Sequence, residues 1–167
     1  MCSSDLRAAV RSLFRLLHDD QWQVRAEAAA ALGRIDDPRC AGWLIQILGD
    51  GDEYVRLCAT DALCDVADES HRDLLLRAFK RARPTTRLSL ALALAKLRVL
   101  AALGELTNAV ASADGPTRRQ VADALGNYEA GAVTNAIFRL LSDPDADVRE
   151  TAVRAMERVK LGSKPAP

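Results

Sequence analysis

Residue types that favour β-structure, turns or low complexity are scarce in this chain of 167 residues. Aromatic side chains make up 4% of it, and there are nine glycines and six prolines. These numbers exclude a β-rich or low-complexity chain. Hydrophobic residues still reach 49%, mostly as alanine and leucine, and both are strong helix formers. The composition alone therefore favours an all-helical domain.

Long apolar runs and an excess of one charge are also missing. No run approaches the roughly 20 apolar residues that a membrane-spanning helix needs, and the N-terminus lacks the basic and apolar regions of a secretory signal. We therefore expect a cytoplasmic protein without a membrane partner. The 23 basic and 23 acidic residues balance, which excludes an overall charge suited to polyanions.

Few residues in the sequence could carry catalysis or hold a metal. His18 and His71 are the only histidines, and neither has a second metal ligand at helical spacing. Asp61 and Asp65 lie one helical turn apart, which suits a solvated face or, alternatively, an acid–base pair. There is no Gly-rich phosphate loop, and no nucleophile with a neighbouring base can be assembled. We predict that the protein is not an enzyme and has no cofactor.

The four cysteines lack the CxxC spacing of metal sites and redox motifs. We interpret them as small, reduced core residues, with a metal site or disulfides as the alternative. These residues are Cys2, Cys40, Cys58 and Cys64.

What the sequence does contain is an internal repeat of 31 residues. An arginine recurs at this interval, and apolar residues keep the same phase on either side of it. The arginines are Arg25, Arg56, Arg87, Arg118 and Arg149. The residues seven positions after them are Leu32, Leu63, Leu94, Leu125 and Met156. Such agreement indicates a repeat protein whose neighbouring units stack to form the core.

Each repeat contains two amphipathic segments separated by a short turn. The first helices are expected near 5–17, 39–49, 71–82, 102–112 and 131–141. The second helices are expected near 21–35, 52–67, 85–98, 116–127 and 145–159. We therefore predict a right-handed α-solenoid that forms a single domain over 1–167. Its five two-helix repeats would span about 5–36, 37–67, 68–98, 99–129 and 130–160.

The two ends of the chain differ from the repeats. Residues 161–167 have the composition of a disordered tail. Residues 2–6 precede the repeat register, and the end of a sequencing adapter would encode them. Our hypothesis is that these residues are an assembly artefact and that the natural protein extends upstream.

The segment from Val24 to Pro38, VRAEAAAALGRIDDP, resembles the HEAT repeat of the short bacterial type, which occurs in phycobilisome-lyase-like proteins. The resemblance extends over residues 5 to 160. It implies that an arginine opening the second helix packs between units and bonds to turn backbone or to an aspartate. The alternative role for the five arginines is a phosphate-binding ladder. The aspartates at hand are Asp19, Asp20, Asp50, Asp52, Asp143, Asp145 and Asp147.

Two tryptophans lie close together in the predicted arrangement. Trp22 is in the first turn and Trp43 is on the next first helix. Such a pair is either a packed contact between repeats or an anchor for a bound peptide. Tyr54 occupies the turn equivalent to that of Trp22 and would extend the aromatic edge.

Charge is distributed unevenly along the repeats. Residues 36–70 contain nine acidic and two basic side chains, a net charge of −7. Residues 71–100 contain one acidic and eight basic side chains, a net charge of +7. Either the opposite charges hold neighbouring units together, or the basic residues form an anion-binding site. The candidate anion-binding residues, called the basic cluster below, are Arg77, Lys80, Arg81 and Arg83.

The second helix of the third repeat is apolar on nearly every side. By register Leu92 takes the place of polar residues in most other repeats, so it should be exposed on the inner, concave surface. An exposed leucine there would form the centre of a partner-binding groove. The residues expected to line this groove are Asp61, Asp65, Leu88, Leu92, Lys96, Asp123 and Asn127.

We predict a scaffold or adaptor that binds another protein or a peptide segment in this groove. The resemblance implies one alternative, a subunit of a phycobilin-lyase-type chromophore-attachment or chaperone complex. The other alternative is anion or nucleic-acid binding through the basic third repeat. Nucleic acid is disfavoured because the preceding repeat is strongly acidic.

Overall fold

The computed structural model describes residues 3–35, 37–112 and 114–162. Within these residues there are ten α-helices, two short 3-10 helices and no strand. The α-helices are α1 (Ser3–Leu16), α2 (Trp22–Gly33), α3 (Arg39–Ile47), α4 (Glu53–Val66), α5 (Arg72–Arg81), α6 (Pro84–Lys96), α7 (Leu103–Ser112), α8 (Gly115–Leu125), α9 (Ala130–Leu140) and α10 (Ala146–Gly162). The 3-10 helices are Glu69–His71 and Leu100–Ala102. None of the described helices is long and apolar enough to cross a membrane.

Aspartates in the turns start several helices. The Asp52 side chain accepts hydrogen bonds from the backbone N–H groups of Tyr54 and Val55 at the start of α4. Asp114 accepts one from the N–H of Thr117, and Pro116 lies in the first turn of α8. These residues satisfy N–H groups that have no partner inside the helix. The turn sequences therefore fix where the second helix of a hairpin begins.

The leucines of the repeat register form the core. Leu32, Leu63, Leu94 and Leu125 have no exposed surface. Small residues let the helices that carry them approach closely: a Cβ atom added at Gly33 would lie 2.7 Å from the Cβ of Ala62, on the neighbouring second helix. The repeat in the sequence is thus a repeat of buried leucines and close helix contacts.

The described residues fall into two compact units, one within residues 1–93 and the other within residues 94–167. In the first unit α2 packs on α1, α3 and α4, and the hydroxyl of Thr60 donates to that of Ser89 over 2.8 Å, which joins α4 to α6. In the second unit α8 packs on α7, α9 and α10. The all-helical repeat fold is confirmed; its handedness and the number of repeats remain predictions.

The third hairpin departs from its neighbours. Only residues 82–83 separate α5 from α6, whereas residues 48–52 separate α3 from α4. After α6, Arg98 takes a left-handed conformation, with φ of 54°, and the N–H of Val99 bonds back to the carbonyl of Leu94. This is a helix ending that glycine usually provides.

The C-terminal helix is longer than expected. Because α10 continues to Gly162, residues 161 and 162 of the predicted tail are helical, and that part of the prediction is wrong. Residues 163–167 of the tail, and residue 2 of the opening segment, lie outside the described residues.

Candidate functional site

The first repeat arginine joins two successive turns. Nε and Nη2 of Arg25 donate to the two carboxylate oxygens of Asp50 over 2.8 and 2.9 Å. Its Nη1 donates to the carbonyls of Asp19 and Asp20, in the turn before α2. Asp50 also accepts from the N–H of Asp52. The Arg25 guanidinium holds the pKa of Asp50 below its ordinary value. One side chain therefore binds its own turn and the next one.

The same arrangement recurs in the second unit. Nε and Nη2 of Arg118 donate to the carboxylate of Asp143 over 2.7 and 2.9 Å. Asp143 is buried, accepts from the N–H of Asp145, and has its pKa lowered by Arg118. Asp50 and Asp143 are the register equivalents of each other, so the pairing follows the repeat.

The other three arginines bind backbone carbonyls. Arg56 donates from Nη1 to the carbonyls of Asp50 and Gly51, and Arg149 donates in the same way within its own turn. Arg87 donates to the carbonyl of Phe79 and stacks over its ring at 4.4 Å. All five arginines are therefore engaged by the protein itself, which is the arrangement that the resemblance implied and not a free phosphate ladder.

The groove prediction is wrong at its centre. Leu92 has only 7% of its surface exposed, because α6 is buried continuously from Leu90 to Ala95. A helix that is apolar on every side buries every side, and the repeat register did not override that tendency. Leu92 therefore cannot act as an exposed anchor for a partner.

The remaining groove residues fall in two different units. In the first, Asp61 and Asp65 are exposed on α4 and Leu88 is partly buried on α6. In the second unit Lys96 and Asp123 are exposed and Asn127 is partly buried; Asp123 accepts from Nη2 of Arg158 over 2.8 Å. Asp61 and Asp65 lie one helical turn apart on α4, and both are exposed.

The aromatic side chains pair differently from the prediction. Trp22 contacts Tyr54 with ring centroids 5.7 Å apart and the rings nearly perpendicular. Trp43 instead packs against Phe14 at 4.7 Å. Trp22 and Tyr54 are 41% and 53% exposed, so their pair lies on the surface across α2 and α4.

An exposed leucine that the sequence did not single out extends this pair. Leu57, 40% exposed, lies one turn after Tyr54 and precedes Asp61 and Asp65 at intervals of four residues. The repeat register gives no signal for it, because the equivalent residue in the first repeat, Ala26, is buried. We call the surface formed by Trp22, Tyr54, Leu57, Asp61 and Asp65 the α2–α4 face.

The α2–α4 face is apolar at one end and acidic at the other. Glu27 is exposed on α2, and its charge helps to raise the pKa of Tyr54 and of Cys58. The largest cause for Tyr54 is Cys58 and for Cys58 is burial. Glu27, Asp61 and Asp65 thus form a negatively charged border to the Trp22–Tyr54 pair.

The basic cluster lies at the end of α5. Arg77, Lys80, Arg81 and Arg83 are all exposed, and within the described residues none of them has an ion pair with a carboxylate. Lys80 and Arg81 occupy the last turn of α5, where positive charge is favourable. The helix end explains part of this charge; four exposed cations exceed what one helix end requires.

His71 and Cys40 are buried in the structure. His71 is buried, with Nδ1 2.8 Å from the Asp68 carboxylate and Nε2 3.3 Å from the carbonyl of Pro38. Cys40 is buried, and burial raises the pKa of its thiol to about 11. In the part of the chain that the structure describes, no three His, Cys, Asp or Glu side chains are grouped to hold a metal ion.

Most of the chain matches models of HEAT repeats. Models described as HEAT repeats match residues 41–126 and 103–166, and a model of the single HEAT repeat matches residues 9–36. The chain belongs to the HEAT repeat family. The arginine–aspartate pairs and buried leucines described above are thus features of a HEAT array. No curated protein matches the chain.

Several solved structures are similar to this chain in fold. A chain of the CpcE–CpcF complex of phycocyanin lyase from Nostoc sp. PCC7120 is similar with a TM-score of 0.66 and 22% identity; the match covers 91% of this chain and 65% of that one. This chain therefore spans less than two thirds of that protein.

Two artificial proteins are also similar. An engineered protein gives a TM-score of 0.59 at 22% identity, covering 97% of this chain and 87% of that one. A computationally designed armadillo repeat protein for modular peptide recognition gives 0.52 at 18% identity, covering 90% and 82%. At these identities the similarity shows the fold alone.

Proposed function

We propose that this HEAT array is a non-enzymatic interaction scaffold that binds a segment of another protein on its α2–α4 face. The exposed Trp22–Tyr54 pair carries the proposal, together with Leu57 beside it. Aromatic side chains that remain on a surface are the commonest anchors of protein interfaces. The fold supports this function, since a designed armadillo repeat protein of similar fold is made for peptide recognition.

The chemistry of the face specifies the kind of segment. The exposed apolar surface of Trp22, Tyr54 and Leu57 favours an apolar or aromatic side chain of the partner, because binding removes this surface from water. Glu27, Asp61 and Asp65 favour lysine or arginine on either side of that anchor. We therefore expect a segment that combines one apolar anchor with basic residues.

A displayed random peptide library tests this function. Peptides are selected on the wild-type protein, and their affinity is then measured for Tyr54→Ser and for Leu57→Ser. We expect selected peptides to contain an apolar residue next to Lys or Arg. We also expect each variant to weaken binding about tenfold, the loss of roughly 1.4 kcal/mol that a central interface contact typically provides.

Phe138→Ser is the matched control. Phe138 is 58% exposed on α9 in the other compact unit, so the substitution removes a comparable exposed aromatic side chain that is not part of the α2–α4 face. It should leave the affinity unchanged. Peptides that bind Tyr54→Ser as tightly as wild type, or that need Phe138, would show that the α2–α4 face is not the binding surface.

A further inference from the structure

The regular arginine–aspartate pairs define how this register binds a carboxylate. In Arg25, Nη1 points to carbonyls of its own turn, while Nε and Nη2 hold the carboxylate of Asp50 with two parallel bonds. Arg118 uses the same Nε and Nη2 edge for Asp143. A guanidinium edge matched to two oxygens is a specific and strong carboxylate site.

Arg56 has the same posture but no such carboxylate. Its Nη1 donates to the carbonyls of Asp50 and Gly51 over 2.8 and 3.2 Å, as Arg25 does in the preceding turn. Among the described residues, Arg56 makes no ion pair through Nε or Nη2. The nearby charge of Asp50 is already bonded to Arg25.

The sequence explains the difference. The position 31 residues after Asp50, where the next turn would supply an acid, is Arg81. The α5–α6 turn is also shorter than the α3–α4 turn, so α5 extends to Arg81 itself. Since Thr60 of α4 bonds to Ser89 of α6, the two helices are neighbours, and the repeat register assigns Arg81 to the junction that follows Arg56. This junction has cations where the regular junctions have an acid.

We propose that Arg56, together with Lys80, Arg81 and Arg83, binds an acidic segment from another protein, and that one carboxylate of this segment takes the role that Asp50 plays for Arg25. An aspartate or glutamate from outside would bind the Nε and Nη2 edge of Arg56. Lys80, Arg81 and Arg83 are exposed and would bind neighbouring acidic residues.

A carboxylate fits better than a nucleic acid. The regular junctions of this chain show carboxylates bound by this arginine register. A nucleic acid is charged at every phosphate, and residues 36–70, whose net charge is −7, would repel it. A short acidic segment needs only the local cations. This site does not depend on the function proposed for the α2–α4 face.

The test uses charge-conserving substitutions. A labelled peptide of alternating Glu and Ala is titrated at low salt against the intact chain, with the matching Gln–Ala peptide as the uncharged comparison. We expect Arg56→Lys to weaken the Glu–Ala complex about fivefold or more, because lysine keeps the charge and loses the two-bond edge. Arg77→Lys, one helical turn before Arg81 on α5 and outside the proposed site, should change the affinity less than about twofold.

A second variant separates this site from general attraction. Arg81→Asp offers Arg56 a carboxylate of the protein's own and should abolish binding, whereas Arg77→Asp makes the same change in charge and should only weaken it. Equal losses for the two reversals, or wild-type affinity in Arg56→Lys, would overturn the proposal. Equal binding of both peptides would also overturn it. Tighter binding of single-stranded DNA of equal charge would overturn the choice of an acidic protein segment.

Discussion

The carboxylate of Asp50 serves two purposes at once, and both are visible in its bonds. One oxygen accepts from the N–H of Asp52, and both oxygens accept from Arg25. The first contact shapes the turn and the second joins that turn to the preceding hairpin. The pair is partly buried, so water screens it less than an exposed ion pair.

Asp50→Asn is expected to lower the Tm by roughly 3–8 °C at pH 7, because asparagine keeps an acceptor for the Asp52 N–H but loses the charge. The pKa of Asp50 is lowered in the folded state, so the ion pair stabilises the protein fully above the ordinary pKa of 3.8. That contribution disappears as pH falls through the lowered pKa.

Urea titrations at a series of pH values measure this effect. The difference in unfolding free energy between wild type and Asp50→Asn should be constant from pH 7 to about 5 and should shrink below about pH 4. Asp20→Asn, an exposed carboxylate in the preceding turn, should change stability by less than about 0.5 kcal/mol. A difference in unfolding free energy that persists below about pH 4 would show that the charge of Asp50 is not the cause.

Single residues were predictable where the repeat register alone decides their surroundings. The resemblance to HEAT repeats implied the turn contacts that the arginines make, and the phase of Leu32 and Leu63 led to their burial. Leu92 was not predictable in this way, because its exposure depends on how the whole of α6 is covered. Leu57 escaped notice because its equivalent, Ala26, is a small buried residue.

At the scale of helices, the short distance between α2 and α4 depends on Gly33, which has no side chain. A Cβ on Gly33 would lie 2.7 Å from the Cβ and 2.8 Å from the Cα of Ala62. The second of these is backbone, which cannot move out of the way by changing a rotamer. Glycine is thus required by the close approach and not by its own conformation.

Gly33→Ala is expected to destabilise the protein by about 1–3 kcal/mol, although alanine is the better helix former, because α2 and α4 must separate. Gly42→Ala in α3 is the matched control, since no atom lies within 4 Å of its added Cβ. The control should be neutral or stabilise by up to about 1 kcal/mol. Chemical denaturation of both variants measures the difference, and two stabilising substitutions would contradict the close approach.

The helices themselves were largely predictable. All ten lie where the repeat placed them, with ends that differ by a few residues, because turn aspartates and prolines mark the starts. The contacts between aromatic side chains were not predictable. Trp22 meets Tyr54 because second helices stack on second helices, and this depends on the rotation of each helix, which hydrophobic phase determines only coarsely.

At the scale of the whole molecule, spectroscopic probes fall unequally on the two compact units. Trp22 and Trp43 both belong to residues 1–93, whereas helical circular dichroism arises from both units. In repeat proteins, stability is a sum over units and their neighbours, so a local defect need not spread through the array. Fluorescence and circular dichroism can therefore report different parts of one unfolding reaction.

Leu125→Ala and Leu63→Ala are a matched pair for this purpose, because both leucines are fully buried and occupy the same register position. Each should cost about 2–5 kcal/mol. We expect Leu125→Ala to shift the circular dichroism transition in urea more than the fluorescence transition, and Leu63→Ala to shift the fluorescence transition fully. Coincident shifts of both signals in Leu125→Ala would show that the chain unfolds as one cooperative block.

The arginine that bonds both to its own turn and to the next aspartate has a consequence for how such chains can grow by gene duplication. Arg25 precedes Asp50 by 25 residues. A tandem copy of residues 37–67 would place a second Asp50 at that same spacing after Arg56. A hairpin that carries both the arginine and the aspartate can therefore form the same ion pair with its own copy. The third hairpin cannot, because Arg81 occupies the position of the aspartate.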